Sequence, residues 1–290
     1  MTTRCVRYPL RSAVWLMAAG ALFPRTAPAQ DEPRSGRGET SAAVRATLRR
    51  QEARIREQLE SDEPGPPVPL EIYQGRIIAQ TMHYTGAEWL IRDTREREER
   101  CSLMLANLPI RPGMTVCDMG CGNGFYTVPM ARMAGANGQV LAVDVQPEML
   151  VMLRERCETE GLGNITPILG SMFDPRLPAA SVDLILLVDV YHEFSHPQHM
   201  LAAMRRSLKP DGTIVLVEYR GEDPEVPIKP LHKMTKEQVE REMTANGFRK
   251  VGSFDELPWQ HMLTYGIDPN WKAPADYPDL PVGDDADGER

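Results

Sequence analysis

Val116-Cys117-Asp118-Met119-Gly120-Cys121-Gly122-Asn123-Gly124 begins as a β-rich run and ends in three alternating glycines. A helical pattern follows at 125–133. Glycine lets a backbone approach a ligand closely, and the first turn of a helix offers unpaired N–H groups to an anionic one. The spacing is G-x-G-x-G. The dinucleotide fingerprint G-x-G-x-x-G would need its third glycine where Phe125 stands, which disfavours a nicotinamide dinucleotide. Asp144, twenty residues past Gly124, closes the next β-rich run. A carboxylate at the tip of a second strand can accept hydrogen bonds from a ribose diol.

Outward from this unit, β-rich runs at 115–118, 140–144, 165–169, 184–188 and 213–218 alternate with helical segments at 125–133, 147–160 and 197–208. Such alternation predicts an α/β fold, a doubly wound and mostly parallel sheet with helices on both faces. Lys209-Pro210-Asp211-Gly212 reads as the turn into the last parallel strand. Thr235 and Gln238 form a capping box that opens a helix to about Asn246, with Gly247 as its stop. Two further strand-like runs, at 250–254 and 261–265, end a domain expected over 109–267. Residues 69–108 predict a helical cap, in which the charged run 93–100 is a solvated face.

The flanks differ in kind. Arg4, Arg7 and Arg11 precede an apolar run at 13–23, and Ala27-Pro28-Ala29 follows. Charge, short apolar run and small residues in that order predict a signal peptide over 1–29 and an exported chain. Residues 30–68 are a charged, Pro-rich linker with a thin stripe of Val44, Leu48, Ile55 and Leu59, and 268–290 reads as a disordered acidic tail. Losing the leader removes four arginines and no acid, which takes the net charge from −8 to −12. That balance argues against a nucleic-acid binder, whose phosphate contacts need a basic face. No apolar run is long enough to span a bilayer. Cys101, Cys117, Cys121 and Cys157 remain after the leader, and spacing alone leaves a Cys101–Cys157 bridge open.

The motif at 118–124 with Asp144 after it resembles those of class I S-adenosylmethionine-dependent methyltransferases, nearest the small enzymes of the ubiquinone/menaquinone-biosynthesis type. The run 184–189 followed by Tyr191-His192-Glu193-Phe194 resembles their fourth strand and its sequel, and 209–218 the turn into their fifth. The resemblance covers about residues 110–220. It implies a Rossmann-like, seven-stranded sheet and S-adenosyl-L-methionine as cofactor. The loop of Gly120, Cys121, Gly122 and Gly124 would hold its methionine part and Asp144 its ribose, Ser171 and Met172 would lie beside its adenine, and Asp118 and Val145 count among the cofactor-binding residues. Asp189 would stand near the methyl group. Many relatives carry an acid where Ser171 stands, and the nearest acid here is Asp174. The helices before the first strand, with Met82, His83, Tyr84, Trp89 and Leu90, would form a lid, and Trp259, Gln260 and His261 would close the other side; both segments read equally as core packing.

His192-Glu193-Phe194-Ser195-His196 matches the zinc pattern H-E-x-x-H, with His199 nearby. That pattern works only on a continuous helix, and Pro197 pushes His196 out of helical geometry, so no metal is expected from it. Tyr191 and His192 are instead the catalytic candidates. His192 is either a general base or a pocket-lining residue. A small-molecule acceptor is the expected substrate. An exported chain and an intracellular donor fit together poorly. That tension keeps two other readings open: a non-catalytic binding protein for a nucleoside-like ligand and, less favoured, an NAD-dependent oxidoreductase.

Overall fold

The computed structural model describes residue 49, residues 66–275 and residues 277–278. The expected leader, nearly all of the linker with its apolar stripe, and the tail beyond 278 lie outside the described residues.

Among the described residues an eight-stranded sheet fills the centre, and seven of its strands form one continuous path. These are β3 (Thr115–Met119), β4 (Gln139–Asp144), β5 (Ile165–Leu169), β6 (Val182–Val188), β7 (Leu208–Arg220), β9 (Phe248–Phe254) and β10 (Gln260–Ile267), in the order β5-β4-β3-β6-β7-β10-β9. The strands from β5 to β7 are parallel, and β10 runs antiparallel between β7 and β9. A two-residue strand, β8 (Lys233–Met234), pairs with the end of β7. The doubly wound, mostly parallel α/β sheet read from the sequence is therefore present.

Burial of both faces explains the apolar runs. Cys117, Ile185 and Ile214 point into a core closed by α5 (Pro197–Ser207) and α6 (Lys236–Ala245). Their neighbours Val116, Leu184 and Val215 point the other way, towards α2 (Cys101–Ala106) and α3 (Thr127–Ala134). Side chains alternate along a strand, so one continuous apolar run serves two layers. Helix α4 (Pro147–Glu160) covers β4 and β5 through Leu150, Leu153 and Cys157. It can approach the glycine turn because Gly124 has φ +84°, and a Cβ there would stand 2.3 Å from Leu153 Cδ1.

Helix ends follow their local chemistry. The Thr235 hydroxyl accepts the Gln238 N–H at 3.1 Å and opens α6. Pro147 and Pro197 each begin a helix, where a missing N–H costs nothing. Lys209–Gly212 is more than an entry turn. Leu208 already pairs with Val182, and Thr213 pairs with Leu184, so those four residues bulge opposite Asp183 alone. Lys209 Nζ reaches the Asp183 carboxylate at 2.8 Å.

The region expected to be a helical cap is mixed. It starts with a hairpin of β1 (Ile72–Tyr73) and β2 (Arg76–Ile77), then a 3₁₀ segment at Tyr84–Ile91, α1 (Arg95–Glu99) and α2. The charged run is not simply solvated. Arg95 and Glu99 are buried four residues apart on one helix face, joined Nε to Oε2 at 2.8 Å, while Glu96 and Arg97 face outward. Trp271 and Tyr277, inside the stretch read as a disordered tail, pack edge to face with ring centroids 4.9 Å apart, and the Tyr277 hydroxyl donates to Asn246 Oδ1 at 3.1 Å. The four cysteines among the described residues are buried and free, so no Cys101–Cys157 bridge forms. No helix among those residues is long and apolar enough to cross a membrane.

Candidate active site

A cavity of about 550 Å³ opens at the carboxyl edge of the sheet. Open α/β sheets bind ligands at this edge, where the crossovers diverge to either face. Its floor is the tips of β3, β4 and β6, through Met119, Gly120, Asp144 and Asp189. Its roof is Thr81, Met82, Trp89 and Leu90, and its outer wall is Ile228, Lys229 and His232.

One end is made by backbone. Gly120 has φ +69°, and a Cβ there would come within 2.4 Å of Val190 Cγ2. Above it, Gly122 leaves a gap that a Cβ would close against Leu90 Cδ1 at 2.6 Å. Asp144 Oδ2 accepts the Gly122 N–H and Oδ1 the Gln146 N–H, both at 2.9 Å. Burial pushes the Asp144 carboxyl up from its ordinary value, and those backbone donors hold it back. A carboxylate has about four acceptor sites, so Asp144 keeps capacity for a ligand diol. Val145, Ser171 and Met172 continue this wall.

Three of the residues read as cofactor-binding do not reach the cavity, and the geometry explains each. Asp118 turns inward, where its Oδ2 accepts the Thr127 hydroxyl at 2.5 Å and ties β3 to the start of α3. Burial raises its carboxyl to about 6. Cys121 points into the core beneath α4. Gly124 serves the helix contact described above. Asp174 does not line the cavity either, and its Oδ1 accepts the Arg176 N–H at 2.7 Å.

The other end is made by side chains. His192 is 1% exposed, and its Nδ1 lies 2.7 Å from Glu218 Oε2 on β7. Its Nε2 faces the cavity, 3.1 Å from His232 Nδ1. Burial works against a charged imidazole here, but Glu218 outweighs it and raises the His192 pKa. Glu193 is pushed up to about 7 by burial, with His192 pulling the other way. Asp189 sits at φ +53°; its Oδ2 accepts from Gln260 Nε2 at 2.7 Å, and Oδ1 is buried without a partner. Burial, then Glu99 and Glu218, hold that carboxyl well above the ordinary range. An orphaned buried oxygen in a cavity wall needs a donor or cation to offset its desolvation.

Tyr191 leaves the catalytic set. It is fully buried in the core, does not line the cavity, and donates its hydroxyl to Glu242 Oε2 at 2.8 Å. Trp259 and His261 also lie off the cavity, while Gln260 serves it through Asp189. The roof is stitched down by groups the sequence did not single out. Arg76 holds both Glu242 oxygens, at 2.8 and 3.0 Å, and the His192 carbonyl at 2.8 Å. The Gln146 side chain binds the Tyr84 N–H and the Met82 carbonyl. Glu99 gathers Arg92, Arg95 and the Tyr219 hydroxyl. Met82, Trp89 and Leu90, read as lid residues, do line the roof.

Known proteins match this arrangement. The chain is 33% identical over 106 residues to a nocamycin O-methyltransferase of Saccharothrix syringae, which covers 37% of this chain and 38% of that protein. It is 28% identical over 171 residues to a ubiquinone/menaquinone biosynthesis C-methyltransferase of Cupriavidus metallidurans, covering 58% of this chain and 61% of that one. The chain thus spans less than two thirds of the length of these curated relatives. Among solved structures, a SAM-dependent methyltransferase from Aquifex aeolicus superposes with a TM-score of 0.61 at 24% identity, covering 64% of this chain and all of that one. The [4+2]-cyclase SpnF superposes at 0.51 with 16% identity, over 58% of this chain and 81% of that one. One of these is a methyltransferase and the other a cyclase on a shared fold, so the fold alone does not set the chemistry. A family model described as a methyltransferase domain matches residues 110–266, from the loop before β3 to the end of β10. With more than half of its length matched, the chain belongs to the methyltransferase domain family.

Proposed function

We propose that the protein is an S-adenosyl-L-methionine-dependent methyltransferase acting on a small molecule. One observation carries this reading: a single cavity has a glycine cradle and a strand-tip carboxylate at one end and a buried imidazole at the other. The residues fit the nucleoside. Gly120 and Gly122 leave the room that a Cβ would fill, and Asp144 retains acceptor capacity towards a ribose. Ser171 and Met172 line the same cavity and would border the adenine, and the unpartnered Asp189 oxygen in its wall would stand towards the cationic portion of the donor. When bound, this cofactor supplies an electrophilic methyl group on a sulfonium.

The chain's own residues supply alignment and dryness, which account for several kcal/mol of a displacement barrier. Trp89, Leu90 and Met82 exclude water from above, and Glu218 fixes the ring of His192 beneath the acceptor space. A small-molecule acceptor suits a cavity of about 550 Å³, and the net charge of −8 disfavours a nucleic acid. Calorimetry with S-adenosylmethionine, S-adenosylhomocysteine and NAD tests the donor. Tight binding of the first two and none of NAD is expected, and NAD binding alone overturns the reading. A screen for S-adenosylhomocysteine release across acceptor classes then tests catalysis. Donor binding with no release on any acceptor would leave a nucleoside-binding protein. Export through the leader at 1–29 belongs to the same proposal, and cell fractionation with N-terminal sequencing of the recovered protein checks it.

A further inference from the structure

We propose that His192, Glu193 and His232 form a divalent-cation site in the wall of the cavity. The ligand atoms His192 Nε2, His232 Nδ1 and Glu193 Oε1 all lie within 4.8 Å of one another. The two nitrogens are 3.1 Å apart, and each stands 3.9 Å from the Glu193 oxygen. Nitrogen and oxygen ligands about 2.0–2.1 Å from a tetrahedral zinc stand about 3.3 Å from each other. Shifts of about half an ångström would therefore close this triangle on an ion.

A second observation is independent of the triangle. The ring of His192 is held from behind, Nδ1 to Glu218 Oε2 at 2.7 Å. A carboxylate only accepts, so the shared proton belongs on Nδ1 and the Nε2 lone pair points at His232 Nδ1, where an ion would replace the contact between the two rings. Carboxylate–histidine pairs of this kind orient metal-bound imidazoles and increase their basicity. Glu218 is itself fixed, because its other oxygen accepts the Tyr191 N–H at 3.0 Å. Glu193 is oriented by the Met82 N–H.

The H-E-x-x-H pattern thus supplies only its first two residues. His196 spends one ring nitrogen on Ser195 and the other on the Pro67 carbonyl, and His232 arrives from the loop after β7 instead. Two imidazoles and one carboxylate suit zinc and its neighbours, and three protein ligands leave a position open. All three residues line the cavity, so the open position faces the acceptor space. On the methyl-transfer reading, the ion takes one donor atom of the acceptor. A hydroxyl or thiol held there gives its proton to solvent water and keeps the electron pair, so the acceptor class is hydroxyl- or thiol-bearing small molecules.

Full-length protein washed with chelator is titrated with Zn²⁺ by calorimetry and with Co²⁺ by visible absorption, without donor or acceptor. One ion per chain is expected, with the intense visible bands of four-coordinate Co²⁺. His232→Ala, on a partly exposed turn, and Glu193→Gln should each weaken binding at least 100-fold. Glu218→Gln should weaken it 10–100-fold, and His199→Ala should leave it unchanged. Urea unfolding of each variant establishes that it folds. No stoichiometric ion, or equal affinity in His232→Ala, overturns the site and returns His192 to the role of a plain base. S-adenosylhomocysteine binding by the same metal-free sample separates the two readings. Nucleoside without metal defeats this inference alone, and metal without nucleoside defeats the methyl-transfer reading alone.

Discussion

The two ends of the cavity are built in opposite ways. The glycine end comes from one βαβ unit, residues 115–160, and its contacts are mostly backbone: glycine φ angles, N–H groups and one carboxylate that organises them. The histidine end is gathered from Arg76, residues 189–193, Glu218 and His232, and it is held by side chains. A backbone-built end follows from a contiguous motif and tolerates changes beneath it. A side-chain-built end depends on charges that lose value singly when one partner goes.

The largest test of that contrast is Glu99→Ala. It strips the partner from buried Arg95 and from Arg92 and Tyr219 under the roof. A loss of about 3–5 kcal/mol is expected in urea unfolding followed by tryptophan fluorescence. A loss below about 1 kcal/mol would mean that the side-chain network under the roof is not fragile.

Asp118→Asn examines the other end through pH. With its folded pKa at about 6, above the ordinary 3.8, Asp118 contributes stability that is fully present below about pH 4 and lost as pH rises through 6. The asparagine variant lacks that loss. It should therefore gain on the natural chain across pH 4–6, by on the order of 3 kcal/mol at full effect. Parallel stability–pH curves for the two proteins would contradict it.

Gly120→Ala combines a positive φ with a 2.4 Å approach to Val190. It should cost about 1–3 kcal/mol of stability and weaken S-adenosylhomocysteine binding measured by calorimetry. Unchanged values for both would show that the backbone end has slack. Thr235→Ala removes the cap of α6, the helix that carries Glu242 to Arg76 and Tyr191. It should lower stability by only about 1 kcal/mol in the same unfolding measurement.

The same contrast explains what could be read in the chain beforehand. Gly120, Gly122 and Asp144 were legible because chain order fixes their positions at adjoining strand tips. Asp118 lies in the motif yet does not line the cavity, because a motif does not say which face of a strand a residue takes. At β3 that face is the Thr127 side. Tyr191 stays off the cavity for a similar reason, since a 3₁₀ turn points neighbouring residues to opposite sides, His192 to the cavity and Tyr191 to Glu242. His232 had no local signal, because its partner lies forty residues earlier and only the Pro-rich loop after β7 brings it back. The buried Arg95–Glu99 pair looked like ordinary surface charge, since composition does not distinguish an ion pair facing in from one facing out.

The stitching of the roof has a kinetic consequence. The Ala79 N–H donates to the His192 carbonyl at 3.1 Å and the Met82 N–H to Glu193 at 3.2 Å. Lifting residues 79–82 would unfasten His192 and Glu193 at once, so on the proposed reading an opening that admitted a nucleoside would also loosen the grip on the ion. Exchange of either occupant would then run on one clock, set by how often those two amides come free. Deuterium uptake at Ala79 and Met82 measures that interval directly.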